Sequence, residues 1–316
     1  ALMNGISGIG TGFSCNIPSY NPQQIIDCLR ARLKNQDYTD EFIPYYEGFK
    51  GIISKVEDKK YLVKGKYEKT GTDKIRITEL PIGTWTMPYT SFLEGLMDGS
   101  NKKGKKIHAS IRDFTSVCTE VAVDFEVTFS RGKLDELESK CDETTGINGV
   151  EKLLKLTTSI SNTNMHMFDA DRKLHKYGSI EEIIDDFYKV RIDVYEKRKA
   201  YLIDILEKKL VKLSNKARYI QETLEGIIDL RRKKAQVVTE LLTERKFDLI
   251  DGDYKYLIKM PMDSVTEENV ASIMKDRDNA VKELELLRKT SLEKMWLTEL
   301  DNLEKEYTTY KIYREK

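Results

Sequence analysis

A heptad repeat of apolar residues in the last third of the chain constrains its fold more than any other feature. In the first stretch, apolar positions alternate at spacings of four and three residues, at Leu206, Leu210, Leu213, Ala217, Ile220, Leu224 and Ile227. A second stretch, shifted once in phase, repeats the alternation at Val270, Ile273, Arg277, Ala280, Leu284 and Leu287, then at Trp296, Leu300, Leu303, Tyr307 and Tyr310. This spacing is typical of a coiled coil. The phase shift predicts a local irregularity in the second helix.

The segment between the two repeats, residues 228–263, predicts a turn-back at the far end of an antiparallel helix pair. A short helix is expected near residues 235–245. An apolar and aromatic patch follows, comprising Phe247, Leu249, Ile250, Tyr254, Tyr256, Leu257, Ile258, Met260 and Met262. Pro261 is expected to end the segment, and Asp263 or Ser264 to cap the returning helix. The pattern predicts a long helical arm with a small apolar knob.

Alternation of apolar and polar residues with a period of two predicts β-structure between residues 40 and 130. It is clearest in residues 119–129, where one face would hold Val121, Val123, Phe125, Val127 and Phe129. Three more strands, separated by turn residues, are predicted at residues 49–56, 60–67 and 74–80. The predicted fold class is α+β, with a β-rich domain followed by a long antiparallel coiled coil.

The composition limits the functions that the chain can have. Charged residues make up 34% of the chain, which suits long helices that bury only one stripe. Basic and acidic residues both number 53, so nucleic-acid binding would have to rest on local clusters. The spacing of the four cysteines predicts free thiols in a reducing, intracellular compartment, and no structural zinc. No apolar run approaches the length of a membrane span, so we expect no membrane partner.

Residues 4–12 form a glycine-rich segment that resembles a nucleotide-binding loop only superficially. Phe13 and Cys15 stand where the last glycine of a dinucleotide-binding motif belongs. No Gly-Lys-Ser/Thr follows, which excludes a phosphate-binding P-loop. Two interpretations remain. Either the glycines form a turn that packs closely, or they let the backbone approach a ligand toward which Ile9 projects.

Four segments carry a resemblance to a known family. They are GISGIGTGFSCNIPSYNP at residues 5–22, KIRITELPIGTW at 74–85, KLTTSISNTNMHMFD at 155–169 and LSNKARYI at 213–220. In the same order, they resemble the GAEGIGTGWS, ITELP-x-x-TW, KLxTxLxxNSMxLFD and LxNxARFI segments of eukaryotic-type type II DNA topoisomerases. The resemblance spans essentially the whole chain.

The resemblance implies a parent enzyme that uses ATP and Mg²⁺ to pass one duplex through a transient double-strand break in another. The family's DNA-cutting tyrosine precedes the glycine-rich segment. We therefore expect no catalytic residue, metal site or cofactor in this chain, and no activity by the chain alone. The implied domains are the end of the winged-helix domain at 1–30, the tower at 31–190, and the coiled coil at 191–316 with a C-gate globule at about 228–263.

The resemblance also assigns roles to individual residues. Ile9 matches the isoleucine that inserts between base pairs of double-stranded DNA, which fits an apolar wedge that bends a duplex. The other implied DNA contacts are Thr11, Trp85, Lys155, Thr157, Thr158, Ser159 and Asn162. From the residues alone, Trp85 could equally pack beneath the turn at Leu80 and Pro81. The implied contacts of a C-gate homodimer are Tyr254, Tyr256, Leu257 and Ile258.

Two basic runs receive no role from the resemblance. One is predicted to be a solvated loop or, alternatively, a contact with flanking DNA, and comprises Lys102, Lys103, Lys105 and Lys106. The other, residues 231–234, is predicted to be a solvated helix start.

Other classes of protein share part of this pattern. A structural coiled-coil protein of the chromosome-organising type would also show heptads around a globule, but it does not need the glycine-rich segment. A metal nuclease would need carboxylates or histidines at ligand spacing. Phe13, where the family usually has tryptophan, and the compact knob make a large DNA virus one plausible source. The expected location is the nucleus for a cellular protein, and the host cytoplasm or nucleus for a viral one.

Overall fold

The structure is a computed structural model that describes residues 1–98, 109, 111–231, 233–261 and 266–314. The chain divides into two compact units, Ala1–Asp186 and Phe187–Lys316, which we call the β unit and the helical unit. The α+β class predicted from the sequence is confirmed. The domain boundaries at residues 30 and 190 remain predictions.

The elements of each unit follow the chain in order. The strands of the β unit are β1 (Ile6–Gly10), β2 (Phe13–Ile17), β3 (Ile52–Glu57), β4 (Lys60–Lys64), β5 (Lys66–Lys69), β6 (Lys74–Glu79), β7 (Ile111–Ser116), β8 (Phe125–Phe129), β9 (Thr157–Ser161), β10 (His166–Phe168) and β11 (Leu174–Lys176). Its helices are α1 (Pro22–Leu33), α2 (Thr86–Met97), α3 (Lys133–Glu138) and α4 (Gly149–Leu153). The boundary between the units falls in α5 (Ile180–Leu224), which is followed by α6 (Ala235–Glu244), α7 (Lys255–Ile258), α8 (Glu267–Lys289) and α9 (Leu292–Arg314).

Gly65 divides the strand predicted at residues 60–67 between two antiparallel sheets. One sheet has the order β3-β4-β9 and the other β5-β6-β8-β7, so β4 and β5 belong to different sheets. The Gly65 amide donates to the Leu156 carbonyl at 2.8 Å. A Cβ at this position would lie 2.4 Å from the Glu79 carbonyl oxygen, which leaves no room for a side chain.

The strand predicted at residues 119–129 is wrong in its first half. β8 begins at Phe125, and Val121 is 97% exposed. The Thr119 hydroxyl accepts a hydrogen bond from the Ala122 amide at 3.0 Å, and the Thr119 amide donates to the Ala122 carbonyl at 2.9 Å. This turn reverses the chain between β7 and β8, which pair antiparallel. The predicted alternation holds where the side chains are buried, at Phe125, Val127 and Phe129.

The core of the β unit forms where the four-stranded sheet packs against helices α2, α3 and α4. Its buried side chains are Ile75, Ile77, Leu80, Tyr89, Leu93, Ile111, Phe125, Val127, Phe129, Leu134, Val150, Leu154 and Leu156. The hydroxyl of Tyr89 donates to the Leu154 carbonyl at 2.8 Å, so this buried polar atom is satisfied. Because Leu154 and Leu156 are fully buried, the core fixes the chain just before β9.

In the helical unit, α5 pairs with α8 and α9 in the opposite direction, as the heptad repeat predicts. Tyr195 of α5 hydrogen-bonds to Glu299 of α9, and further along α5 Glu207 pairs with Arg288 of α8. The buried heptad positions include Leu206, Ala217, Ile220, Ala280, Leu284, Trp296 and Leu300.

The phase shift in the second repeat corresponds to a break between α8 and α9. Thr290, with φ −77° and ψ 126°, is extended and ends α8. Lys199 of α5 donates to the freed carbonyls of Arg288 and Thr290, at 3.2 and 2.6 Å. The Ser291 hydroxyl then accepts from the Lys294 amide at 3.2 Å, which caps the start of α9.

The far end of the arm follows the sequence prediction with one correction. The short helix expected near residues 235–245 is confirmed as α6. The cap of α8 is Thr266, whose side chain accepts from the Asn269 amide at 3.3 Å. The predicted caps Asp263 and Ser264 lie outside the described residues, as does Met262. None of the helices in the described ranges is both long and apolar enough to cross a membrane.

Candidate nucleic-acid interface

The glycine-rich segment folds into the β1-β2 hairpin, with Thr11 and Gly12 as its exposed turn. Gly12 has φ 88°, a left-handed conformation that favours glycine. Every residue of β1 is exposed, and Ile9 is 95% exposed. The interpretation that the glycines pack closely holds at Gly10, where a Cβ would lie 3.1 Å from the Phe13 ring. Ile9 itself projects from the hairpin and is not a core residue.

The β1-β2 hairpin adjoins the segment that enters β10. The Asn164 side chain donates to the Ser14 hydroxyl at 2.8 Å, and the Asn16 amide donates to the Asn164 carbonyl at 2.8 Å. The rings of Phe13 and Phe168 meet edge to face, with centroids 5.7 Å apart. Two family-like segments, 5–22 and 155–169, therefore lie side by side in the β unit.

Strand β9 carries three of the predicted DNA contacts at the edge of its sheet. Thr157 and Thr158 are half-buried, and Ser159 is exposed. Lys155, just before the strand, is exposed and has φ 51°; its ammonium lies 4.3 Å from the centroid of the Phe92 ring. An ammonium and short hydroxyls at such an edge can donate to phosphate oxygens.

Asn162 differs from the other predicted DNA contacts because it is only 7% exposed. Its amide donates to the Lys59 carbonyl at 3.1 Å, which ties the end of β9 to the turn before β4. Its side chain neighbours the hydroxyl of Tyr20, whose pKa is raised by burial. The structure thus places Asn162 beneath the surface, where it supports the end of β9.

Trp85 lies at the surface, as the DNA-contact prediction requires. It is 77% exposed and is the residue that precedes α2. The turn before it is closed by a hydrogen bond from the Thr84 amide to the Pro81 carbonyl at 3.0 Å, and Gly83 has φ 84°. The alternative that Trp85 packs beneath the proline turn is therefore wrong. Met87, also 79% exposed, lies two residues further on.

The knob at residues 228–263 shares a buried core with the end of α5, through Tyr219 and Ile220. Tyr254 and Leu257 are 4% and 0% exposed, so these two predicted interface residues instead hold the knob together. The Tyr256 hydroxyl donates to the Asp248 carbonyl at 2.7 Å, and burial raises its pKa to about 12. Ile258 is 44% exposed and is, of the four, the side chain most available to a partner.

The LSNKARYI segment attaches the knob to the end of α5. Asn215, 5% exposed, donates to the Asp248 carboxylate at 2.9 Å. The Arg218 guanidinium lies 3.8 Å from the centroid of the Phe247 ring and donates to the Arg245 carbonyl at 2.8 Å. These contacts were not predicted, because no pattern in the sequence pairs the two side chains with residues 245–248.

The two basic runs are described only in part. The lysines of the first run, Lys102, Lys103, Lys105 and Lys106, lie outside the described residues, as does Arg232 of the second. Arg231 pairs with Asp229 at 3.0 Å, ahead of α6.

All four cysteines are free. Within the described ranges, no three His, Cys, Asp or Glu side chains are grouped so that they could hold a metal ion.

Comparison with known proteins identifies the family of this chain. The sequence model for the A-type subunits of the DNA gyrase/topoisomerase IV family matches residues 1–301, and the chain belongs to this family. The crystal structure of the Plasmodium falciparum topoisomerase II DNA-binding, cleavage and re-ligation domain has the same fold. It is 32% identical with a TM-score of 0.88, and the match covers 99% of this chain and 44% of that one.

Matched relatives include eukaryotic proteins named DNA topoisomerase 2. DNA topoisomerase 2 of Arabidopsis thaliana is 33% identical over 347 residues, and DNA topoisomerase 2 of Plasmodium falciparum is 32% identical over 337 residues. Each match covers 96% of this chain but only 22% and 23% of the respective relative. The resemblance to eukaryotic-type type II topoisomerases is confirmed, and the comparisons do not support a chromosome-organising coiled-coil protein.

Proposed function

We propose that this chain binds and bends the DNA duplex that a type II topoisomerase cuts, as part of a longer enzyme. The observation that carries the proposal is Ile9, a large apolar side chain that is 95% exposed near the tip of a hairpin. Insertion between base pairs would remove it from water and kink the duplex. Thr11, in the adjacent turn, would donate to the DNA backbone beside the kink.

Phosphate contacts would supply most of the affinity. Lys155 and the hydroxyls of Thr157, Thr158 and Ser159 are grouped at one sheet edge, where they would fix the duplex without reading its sequence. Trp85 would add an exposed aromatic face for the nucleic acid. Asn162 would act indirectly, by supporting the end of β9.

For the longer protein we propose ATP-dependent passage of one duplex through a transient double-strand break in another. Support comes from the matched relatives, which are named DNA topoisomerase 2. ATP and Mg²⁺ would be bound by residues other than those described here, and no residue of this chain is assigned to the cutting step. A cellular source would place the protein in the nucleus.

Energy transfer across a duplex labelled at both ends tests the DNA proposal. When the 316-residue chain binds, the ends of the duplex should approach one another. Affinity should fall steeply with salt and vary little among unrelated sequences, because phosphate contacts dominate. A duplex that stays straight at saturating protein would overturn the proposal.

Lys155→Ala is expected to weaken binding equally for all DNA sequences. Loss of one phosphate contact should reduce the slope of log affinity against log salt by about one. The control is Lys69→Ala, because the Lys69 ammonium already pairs with Asp135 and Glu138, at 2.7 and 3.0 Å. Titrations at several salt concentrations measure both slopes. Equal slopes for the two variants would exclude a phosphate contact at Lys155.

We also propose that two copies of the chain associate through the knob. A contact between identical patches suits a two-fold homodimer, and Ile258 provides an exposed apolar side chain there. Ile258→Asp is therefore expected to yield monomers by light scattering. Ile52→Asp, at an isoleucine of the β unit that is 64% exposed, is the matched control and should leave the dimer intact. A wild-type chain that stays monomeric at high concentration would contradict the proposal.

A further inference from the structure

Asn164 forms three hydrogen bonds beside the hairpin that carries Ile9, two of them to strand β2. Its carbonyl accepts from the Asn16 amide at 2.8 Å, and its side-chain amide donates to the Ser14 hydroxyl at 2.8 Å. Its side-chain oxygen lies 2.8 Å from Nδ1 of His166. With that ring nitrogen donating, the Asn164 amide nitrogen is directed at Ser14. Hydrogen bonds therefore hold both the nitrogen and the oxygen of the Asn164 side-chain amide.

Ser14 connects Asn164 to Ile9. In the register of the β1-β2 hairpin, Ser14 is the residue directly opposite Ile9. β1 is exposed along its whole length and pairs with β2 in a sheet of only two strands, in the described part of the chain. An isolated two-stranded hairpin is marginally stable in water, so contacts from β2 to other segments must set its direction.

The buried side chains of Cys15 and Ile17 anchor β2, and two further side-chain contacts from β2 can set the direction of the hairpin. One is the Ser14–Asn164 hydrogen bond, and the other is the edge-to-face contact between Phe13 and Phe168. Asn164 also follows β9 by three residues, so it links the hairpin to the strand proposed to hold the DNA backbone. The Asn164 side chain is therefore one of the connections between the two elements, beside the backbone bond from Asn16 and the Phe13–Phe168 contact.

We propose that Asn164 is a positioning residue, which sets the angle at which Ile9 enters the duplex by fixing Ser14. This inference rests on the proposed DNA-bending function. It predicts that loss of the Asn164 side chain affects the bend more than the affinity, because the phosphate contacts at β9 remain in place.

Three measurements on the 316-residue chain test the proposal. They are the DNA bend measured by energy transfer, the affinity for DNA and the melting temperature of the protein. Asn164→Ala is expected to lower the ratio of bent to unbent complex by about two- to tenfold, the range for loss of one hydrogen bond. Affinity should change less than this ratio. Ser14→Ala should reproduce the defect, and the double variant should be no worse than either single one, because both remove the same bond.

Two further variants separate positioning from general structure. Asn164→Asp should bend DNA nearly as the wild type does, since the Ser14 hydroxyl can donate to a carboxylate. Thr163→Ala is the matched control, because the Thr163 hydroxyl bonds to that of Ser161 at 2.9 Å and leaves the hairpin untouched. If Asn164→Ala lowers the melting temperature of the protein, Ser14→Ala and Asn164→Asp still decide whether Asn164 positions the hairpin.

Ile9→Ala, measured in parallel, distinguishes the two ways of failing. If Ile9→Ala leaves the bend unchanged, the proposed wedge function is wrong. If Ile9→Ala abolishes the bend while Asn164→Ala and Ser14→Ala bend DNA normally, the wedge stands and the role of Asn164 is refuted. Additive defects in the double variant would also refute it, because the two side chains would then act separately.

Discussion

Replacement of Trp296 by alanine is expected to destabilise the helical unit by about 3–5 kcal/mol, the range for truncating a buried large aromatic residue. Trp296 is 4% exposed. Its ring stacks between those of Tyr188 and Tyr195, with centroids 5.4 Å away on each side and planes within 19° and 23° of its own. Truncation would leave a cavity between two aromatic rings of the same helix, and neither ring can move in without distorting α5.

The other tryptophan of the chain provides the matched control for this prediction. Trp85 is 77% exposed, so Trp85→Ala should change the free energy of unfolding by no more than about 0.5 kcal/mol. Denaturant unfolding followed by far-ultraviolet circular dichroism measures both variants without relying on tryptophan fluorescence. Equal midpoints for the two would mean that the aromatic stack does not hold α5 against α9.

Ile9→Ala is expected to remove most of the DNA bend and to leave the melting temperature of the protein nearly unchanged. Ile9 is 95% exposed, so its truncation creates no cavity in the fold. The proposed phosphate contacts would remain, so affinity should fall only modestly. The kink would then have to be held without the inserted side chain, although unstacking a base step costs a few kcal/mol. Cleavage by the full-length enzyme should be impaired.

Ile52→Ala, at a 64% exposed isoleucine of β3, is the control for the loss of an exposed apolar side chain. It should leave the bend intact. Energy-transfer distances and melting curves of both variants give the comparison. A protein that melts earlier after Ile9→Ala, with its bend unchanged, would show that Ile9 contributes to packing and does not act as a wedge.

Periodic patterns in the sequence predicted the elements whose burial is periodic. The heptads predicted both helical stretches of the arm, because a coiled-coil seam repeats along the sequence. The break at Thr290 was foreseen as a phase shift, but its stabilisation was not. The ammonium that satisfies the freed carbonyls comes from Lys199, 91 residues earlier in the chain.

The failures of prediction have local physical causes. The strand expected at residues 119–129 was interrupted because the side chain of Thr119 formed a turn, which a pattern of apolar residues does not reveal. In the knob, Tyr254 and Leu257 were assigned to an interface although they form its core. Cores and interfaces use the same apolar and aromatic residues, so composition alone cannot separate them.

The candidate DNA site was only partly accessible from the sequence. Ile9 and Trp85 were named through family-like segments, and their exposure was then seen in the structure. The Ser14–Asn164 contact was not foreseen, because it joins residues 150 positions apart. Two polar residues at such a separation give no signal in a single sequence.

The position of Gly65 limits where the length of this chain can vary. Gly65 is the single residue between β4 and β5, which belong to different sheets. Because side chains alternate between the faces of a strand, one inserted residue would turn every side chain of one strand to the wrong face. The turns at residues 58–59 and 70–73, by contrast, lie outside the strands and can lengthen without changing either register. Insertions and deletions among relatives should therefore accumulate in those turns, while the spacing from Val63 to Tyr67 stays constant.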